Sequence, residues 1–260
     1  MKKSVVFLLC IVFVIGIIGS GLGGYFLGVY KEGHREDQAF DEPEDCILYF
    51  FEQLQEGDIE KVLSAFSPRF SGDNFDFEGY NERLNIVYFG MIPTNDKFFQ
   101  EINQFEVKGR AISYIKGFII SLLLDSDLED YPRINIDSTN EIEEIAEEFD
   151  FSRMEDIEVM EICKVKLEDE RAIENCEKIA STYGHEFIEE YLVSFEFEQE
   201  MYAVGLTLYD DNGKFSIYSL SAMLMNTSSL GFARPMEKQS LTDLFPEDSE
   251  LYSMEIIYEK

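Results

Sequence analysis

The 260-residue sequence contains no tryptophan, two histidines and four cysteines. Without tryptophan it lacks the side chain best suited to stacking on sugar rings. Two histidines, His34 and His185, leave little material for a histidine-based metal centre or for general-base chemistry. There is no CxxC pair to support a structural zinc or a dithiol redox site, and no P-loop, nucleophile elbow, H-E-x-x-H or dinucleotide fingerprint. Positive charge is also scarce: 21 Lys+Arg stand against 53 Asp+Glu, giving a formal net charge of −32 and a pI near 4.2. So anionic a surface repels nucleic-acid phosphates and anionic headgroups, which disfavours both as direct partners unless a divalent cation bridges them.

What is present points to a folded, anchored chain. At 45 % hydrophobic residues, with 14 Tyr and 23 Phe, the sequence can bury a substantial core and is not globally disordered. All the acids lie beyond residue 30, and Ser4–Tyr30 carries no charge at all. As a helix this 27-residue run would span about 40 Å, against a hydrocarbon core of about 30 Å, so it reads as a transmembrane helix. Lys2 and Lys3 before it (cytoplasmic tip, 1–3) favour an N-terminus inside and the remainder outside the cell, although Lys31 and Arg35 blunt the asymmetry. A cleaved signal peptide ending near Gly19 or Gly21 is the alternative, set back by the apolar run continuing to Tyr30. Gly16, Ser20, Gly24 and Gly28 recur every fourth residue, a spacing that lets two membrane helices approach and makes a homodimer one expectation. Background glycine is the other.

Residues 31–44 are polar, lack an apolar period and read as an acidic tether, with the folded region at 45–235 and a C-terminal tail at 236–260. Cys46, Ile47, Phe50, Phe51 and Leu54 follow helical spacing. Gly57-Asp58 breaks the run, and Val62, Leu63 and Phe66 resume it as far as Ser67-Pro68. Residues 79–105 look helical on both sides of Pro93. Residues 111–124 form an apolar run too short to span a membrane, hence a buried helix, and 140–149 carry another amphipathic period. After Arg153 the period becomes alternating: Ile157, Val159, Cys163, Val165 and Leu167 share one parity of a half-buried strand. A helix through Ala172, Ile173, Cys176 and Ile179 ends at Tyr183-Gly184. Then Val193, Phe195 and Phe197 alternate with glutamates. Met201–Tyr209 and Lys214–Ser221 are strands joined across Asn212-Gly213, a strong hairpin signal. The fold class is therefore α+β, helices packed on a mostly antiparallel sheet.

The segment from Cys46 to Phe66, an aromatic-rich helix, Gly57-Asp58 and a short helix ending in Phe66, resembles the opening of NTF2-like (cystatin-like α+β) domains of the membrane-anchored bacterial type. The hairpin Tyr202–Leu208 to Phe215–Leu220 resembles that superfamily's last two strands, with Phe215 where many relatives have Trp. The resemblance implies a curved sheet wrapped around a helix, a cone-shaped cavity, and residues 106–150 as a helical insertion. Members of the superfamily include both cavity enzymes and binding modules, so fold alone does not choose.

Candidate chemistry is thin. His185 beside Glu186 could be an oriented general base, but adjacent residues seldom point together. Ser113-x-x-Lys116 matches a nucleophile motif whose companions are absent. Asp125, Asp127 and Glu129 begin like a calcium loop, with Asp130 where its glycine should be, and Asp210, Asp211 and Asn212 are turn formers before they are ligands. Cys46, Cys163 and Cys176 occupy apolar positions as core residues, with Cys163–Cys176 the pair to test for a disulfide. Asn226-Thr227-Ser228 is a glycosylation sequon in a glycosylating host. No catalytic, cofactor or metal residue is assigned. The expectation is a membrane-anchored extracytoplasmic binding or accessory domain, with a cavity enzyme using a carboxylate base as the alternative.

Overall fold

A computed structural model describes residues 37–84, 97–123, 150–222, 232–236, 240–244 and 252–260. The segment 4–30 with its glycine stripe, His34, the acidic run 125–130, the period at 140–149 and the sequon at Asn226 lie outside the described residues. No helix among those described is long and apolar enough to cross a membrane.

Helix α1 (Pro43–Gln55) opens with Pro43 at its first turn and Glu44 and Asp45 beside its positive end, the residue types that a helix start favours. Gly57 then takes a left-handed φ of 69°, and Asp58 caps α2 (Ile59–Ser64) by accepting the Lys61 amide. Helices α3 (Pro68–Asp73) and α4 (Phe77–Leu84) follow. The long helix α5 (Lys97–Leu123) continues through the apolar run at 111–123. That run is thus not part of an inserted element but the second half of a core helix. A 3₁₀ turn (Phe151–Asp156) leads into strand β1 (Glu158–Leu167), then α6 (Glu170–Thr182), β2 (Phe187–Phe197), β3 (Glu200–Asp210), β4 (Phe215–Ser219), β5 (Arg234–Pro235), α7 (Leu241–Leu244) and β6 (Tyr252–Glu259).

The sheet order is β4-β3-β2-β1-β6, antiparallel throughout, with β5 pairing the first part of β3. One face carries Tyr191, Val193, Phe195 and Phe197 of β2 with Val204, Leu206 and Leu208 of β3. It is covered by Phe50, Phe51 and Leu54 of α1 and by Ile115, Phe118 and Leu122 of α5. The rings interlock: Phe51 and Phe118 approach Phe195 at centroid distances of 5.4 and 5.5 Å, and Phe50 meets Phe66 and Phe118 at 6.2 and 6.3 Å. Aromatic side chains therefore fill the space between sheet and helices, where the resemblance led one to expect a cone-shaped cavity. The other face is covered by α6 and by the segments around Ala222, Met236 and Leu241.

Three further expectations need correcting. The last part of the tether is structure: Phe40 exchanges both backbone hydrogen bonds with Phe215 at 3.1 and 2.8 Å, shielding the free edge of β4, and the Asp37 carboxylate accepts the Arg69 and Phe70 amides at the start of α3. The C-terminal tail is in part a strand, β6, whose edge beside β1 bears the ion pairs Lys166–Glu255 and Lys260–Glu158. Finally, Val159 does not share a face with Cys163. A bulge between Val159 and Glu161 shifts the alternation, so Val159 and Ile162 join the covered face while Cys163 and Val165 turn to the other.

Candidate functional site

Polar and aromatic side chains converge at one end of the second face. Helix α6 ends in Gly184, whose φ of 78° suits glycine, and a Cβ there would meet Asn74 Cβ at 2.3 Å, so α6 can close against α3 because this residue has no side chain. The turn delivers His185 into the interior, 4 % exposed, stacked on Tyr209 at 3.5 Å and under Phe70 at 4.8 Å. From the next hairpin, Asp211 Oδ2 lies 2.5 Å from His185 Nδ1. From α3, Ser71 Oγ lies 2.9 Å from His185 Nε2. With Asp211 ionised, Nδ1–H donates to the carboxylate and Nε2 accepts the Ser71 hydroxyl proton, a tautomer assigned from this network. Burial raises the Asp211 pKa, but the His185 hydrogen bond and charge and the Glu186 amide outweigh it and hold the carboxyl below its ordinary range.

The orienting carboxylate is thus Asp211 and not the adjacent Glu186. The Glu186 backbone donates to Asp211 Oδ1, and its side chain accepts from Asn212 Nδ2 at 2.6 Å. Asp211 also closes the two-residue turn through Asn212 and Gly213, both at positive φ, so the turn-former reading of this stretch holds and Asp211 adds a second role. Sequence reasoning missed Ser71, which sits 114 residues from His185 and carries no local signal.

The order Ser–His–Asp is that of an activated serine nucleophile, but its surroundings are not. Ser71 is fully buried inside its short helix and His185 is almost so, leaving no space at Oγ for an attacked carbonyl. Chemically, the array ties α3, the α6 terminus and the β3–β4 hairpin together with buried, mutually satisfied hydrogen bonds.

Around it, Tyr183, Tyr209 and Tyr218 contact one another at 5.2 to 6.4 Å, and the Arg110 guanidinium donates to Tyr183 Oη at 2.6 Å while lying 4.6 Å over its ring. Burial pushes all three phenols above their ordinary pKa, Arg110 opposing it. Beyond Tyr218 opens a cleft of about 520 Å³ between α6 and the sheet, lined among others by Asn175, Cys176, Glu190 and Thr207.

The remaining candidates do not assemble. Ser113 is exposed and its hydroxyl donates to the Gly109 carbonyl, with Lys116 likewise exposed. Cys163 and Cys176 are free thiols in separate core clusters, which answers the disulfide question against a bond, and burial raises both pKa values, Cys176 to about 11. Among the described residues, no group of three or more His, Cys, Asp or Glu side chains is placed to hold a metal ion.

No family model matches the chain, and none of the curated proteins does. Among solved structures it is similar to a cystatin-like protein from Ruminococcus gnavus, with a TM-score of 0.53 and 16 % identity over 76 % of this chain and 45 % of that one. At that identity the likeness shows the fold alone, a cystatin/NTF2-like α+β architecture, and this chain spans less than half the length of that protein.

Proposed function

We propose that the chain is a membrane-anchored extracytoplasmic binding or accessory domain that performs no catalysis of its own, held by residues 4–30 with its acidic part outside the cell. The observation that carries this reading is the filled space between sheet and helices: Phe50, Phe51, Phe118 and Phe195 occupy the position where an enzyme of this fold would keep its substrate. The rival enzyme needs a cavity carboxylate as base. Glu189 has the β2 parity of that face, but it accepts from Lys164 Nζ at 2.5 Å and Tyr191 Oη at 2.6 Å, a committed structural acid. A binding role is further supported by Phe98, Phe105 and Ile112, exposed at seven-residue spacing along α5. Pairing of two copies through Gly16, Ser20, Gly24 and Gly28 belongs to the same proposal.

The test is protease added to intact cells with a parallel ester-hydrolysis assay. The expected result is digestion of the region beyond residue 36 and no hydrolysis that Ser71→Ala abolishes. Full protection would overturn the topology; turnover lost in Ser71→Ala would overturn the non-catalytic reading.

A further inference from the structure

Strand pairing sets three polar side chains in a row beneath α6. Glu190 of β2 lies opposite Thr207 of β3, and Thr207 lies opposite Ser219 of β4, so the three are lateral neighbours on adjacent strands. All three are buried, at 6, 7 and 1 % exposure, where a sheet covered by a helix ordinarily carries apolar residues. Here they meet the cleft of about 520 Å³ between α6 and the sheet, a volume within the range of about 300–1,000 Å³ that small-molecule sites occupy. Ile179 of α6, Ile188 of β2 and the ring of Tyr218 also line it, and half-buried Ala172 with exposed Asn175 brings it to the surface.

The polar atoms of this lining are mostly acceptors. Thr207 Oγ1 donates its proton to the Ser221 carbonyl, which leaves it lone pairs, and Ser219 and Ser221 use one hydroxyl proton on each other at 2.7 Å. An ionised Glu190 only accepts. Burial, reinforced by Glu190 and Glu177, pushes the Cys176 thiol up to about 11, so this lining sulfur keeps its proton at neutral pH and adds no second charge. None of the described residues that line the cleft is basic. A carboxylate and hydroxyl oxygens thus share one space with aliphatic and aromatic walls.

We propose that this cleft binds a small organic cation, a primary ammonium on a short apolar body, with the ammonium on the row Glu190, Thr207 and Ser219 and the body against Ile179, Ile188 and the Tyr218 ring. A primary ammonium brings three donors and no acceptor, the complement of an acceptor-rich row. An aromatic wall suits a cation as well as a hydrocarbon. The acidic surface concentrates small cations near the opening, and an anion entering the cleft would meet Glu190 and no basic group of the lining. This rests on the reading of the domain as a binding module and names its ligand class.

The experiment is calorimetric titration of the full-length chain in neutral detergent with 2-phenylethylammonium chloride, against sodium chloride at matched ionic strength and against detergent alone. Neutral 2-phenylethanol and the amino acid phenylalanine are the companion probes, the first lacking the charge and the second adding a carboxylate that the lining cannot pair. Saturable binding of the ammonium, and weaker binding of both companions, is expected. Affinity should fall about tenfold in Glu190→Gln, the loss of one charge-assisted contact. It should also fall in Ala172→Leu, whose larger side chain fills the opening from a helix that accepts it. Glu177→Gln, which removes the same charge from the exposed side of α6, should bind as the parent does. If Glu190→Gln loses its native circular dichroism, Ala172→Leu decides in its place. No heat beyond the controls, either companion binding as well as the ammonium, a folded Glu190→Gln or Ala172→Leu binding as well as the parent, or an equal loss in Glu177→Gln overturns the site. Those results leave the intact-cell protease outcome untouched, so failure of this site and failure of the anchored-module reading are told apart.

Discussion

The two faces of the sheet solve the same problem with different materials. The face under α1 and α5 is closed mainly by apolar side chains, with Phe50 and Phe51 edge-on to Phe118 and Phe195 fully buried among them. The face under α6 is closed in part by hydrogen bonds, a buried histidine, a buried serine and three tyrosines, and beside them runs the cleft between α6 and the sheet. Dispersion and apolar burial need no directional partner, so the first face tolerates no vacancy but demands little geometry. The second holds groups that lose heavily when one partner is removed.

The difference predicts a graded set of mutational effects. The largest is on the hydrocarbon face: Phe195→Ala should cost about 3–5 kcal/mol by denaturant unfolding, while Glu196→Ala, its neighbour on the opposite parity, should cost little. Equal losses would mean the faces are assigned the wrong way round. Next, His185→Ala leaves Asp211 and Ser71 without their shared partner and should cost about 2–3 kcal/mol, with Ser71→Ala near 1 kcal/mol.

Acid should find the second face first. The folded pKa of Asp211 lies below its ordinary 3.8, so its contribution is present above that value and is lost as pH falls through the lowered one. The stability of Asp211→Asn should therefore show a shallower fall than the parent below about pH 4. At the alkaline end the signs reverse: Tyr183, Tyr209 and Tyr218 have raised pKa values, so stability should decline above about pH 10, with their ionisation appearing in ultraviolet difference spectra as the protein unfolds. The smallest effect belongs to neither face. Phe105 on α5 is 72 % exposed, and Phe105→Asp should leave the melting temperature within error.

Legibility in the sequence divides along the same line. Helix α1 declared itself through the spacing of Ile47, Phe50, Phe51 and Leu54, β2 through the alternation of Val193, Phe195 and Phe197, and the β3–β4 turn through Asn212-Gly213. Each is a local pattern, and local patterns specify hydrocarbon faces well. Other features lack a local mark. The β2–β3 turn uses Glu198 and Gln199 at φ of 50° and 70°, residues that do not announce a left-handed turn. The bulge after Val159 leaves the residue types unchanged while moving Cys163 to the opposite face. Strand β6 is an edge strand of mixed exposure, so its sequence shows no clean period. The Ser71–His185–Asp211 array draws on three elements, so it does not exist as a spacing.

The central claim, that one face is held mainly by apolar packing and the other by a hydrogen-bonded array, is tested most directly by measuring the unfolding free energy of the parent, Phe195→Ala and Asp211→Asn from about pH 7 to about pH 3. A loss that stays constant with pH in Phe195→Ala and shrinks below about pH 4 in Asp211→Asn is the predicted result. The same pH dependence in both variants would contradict it.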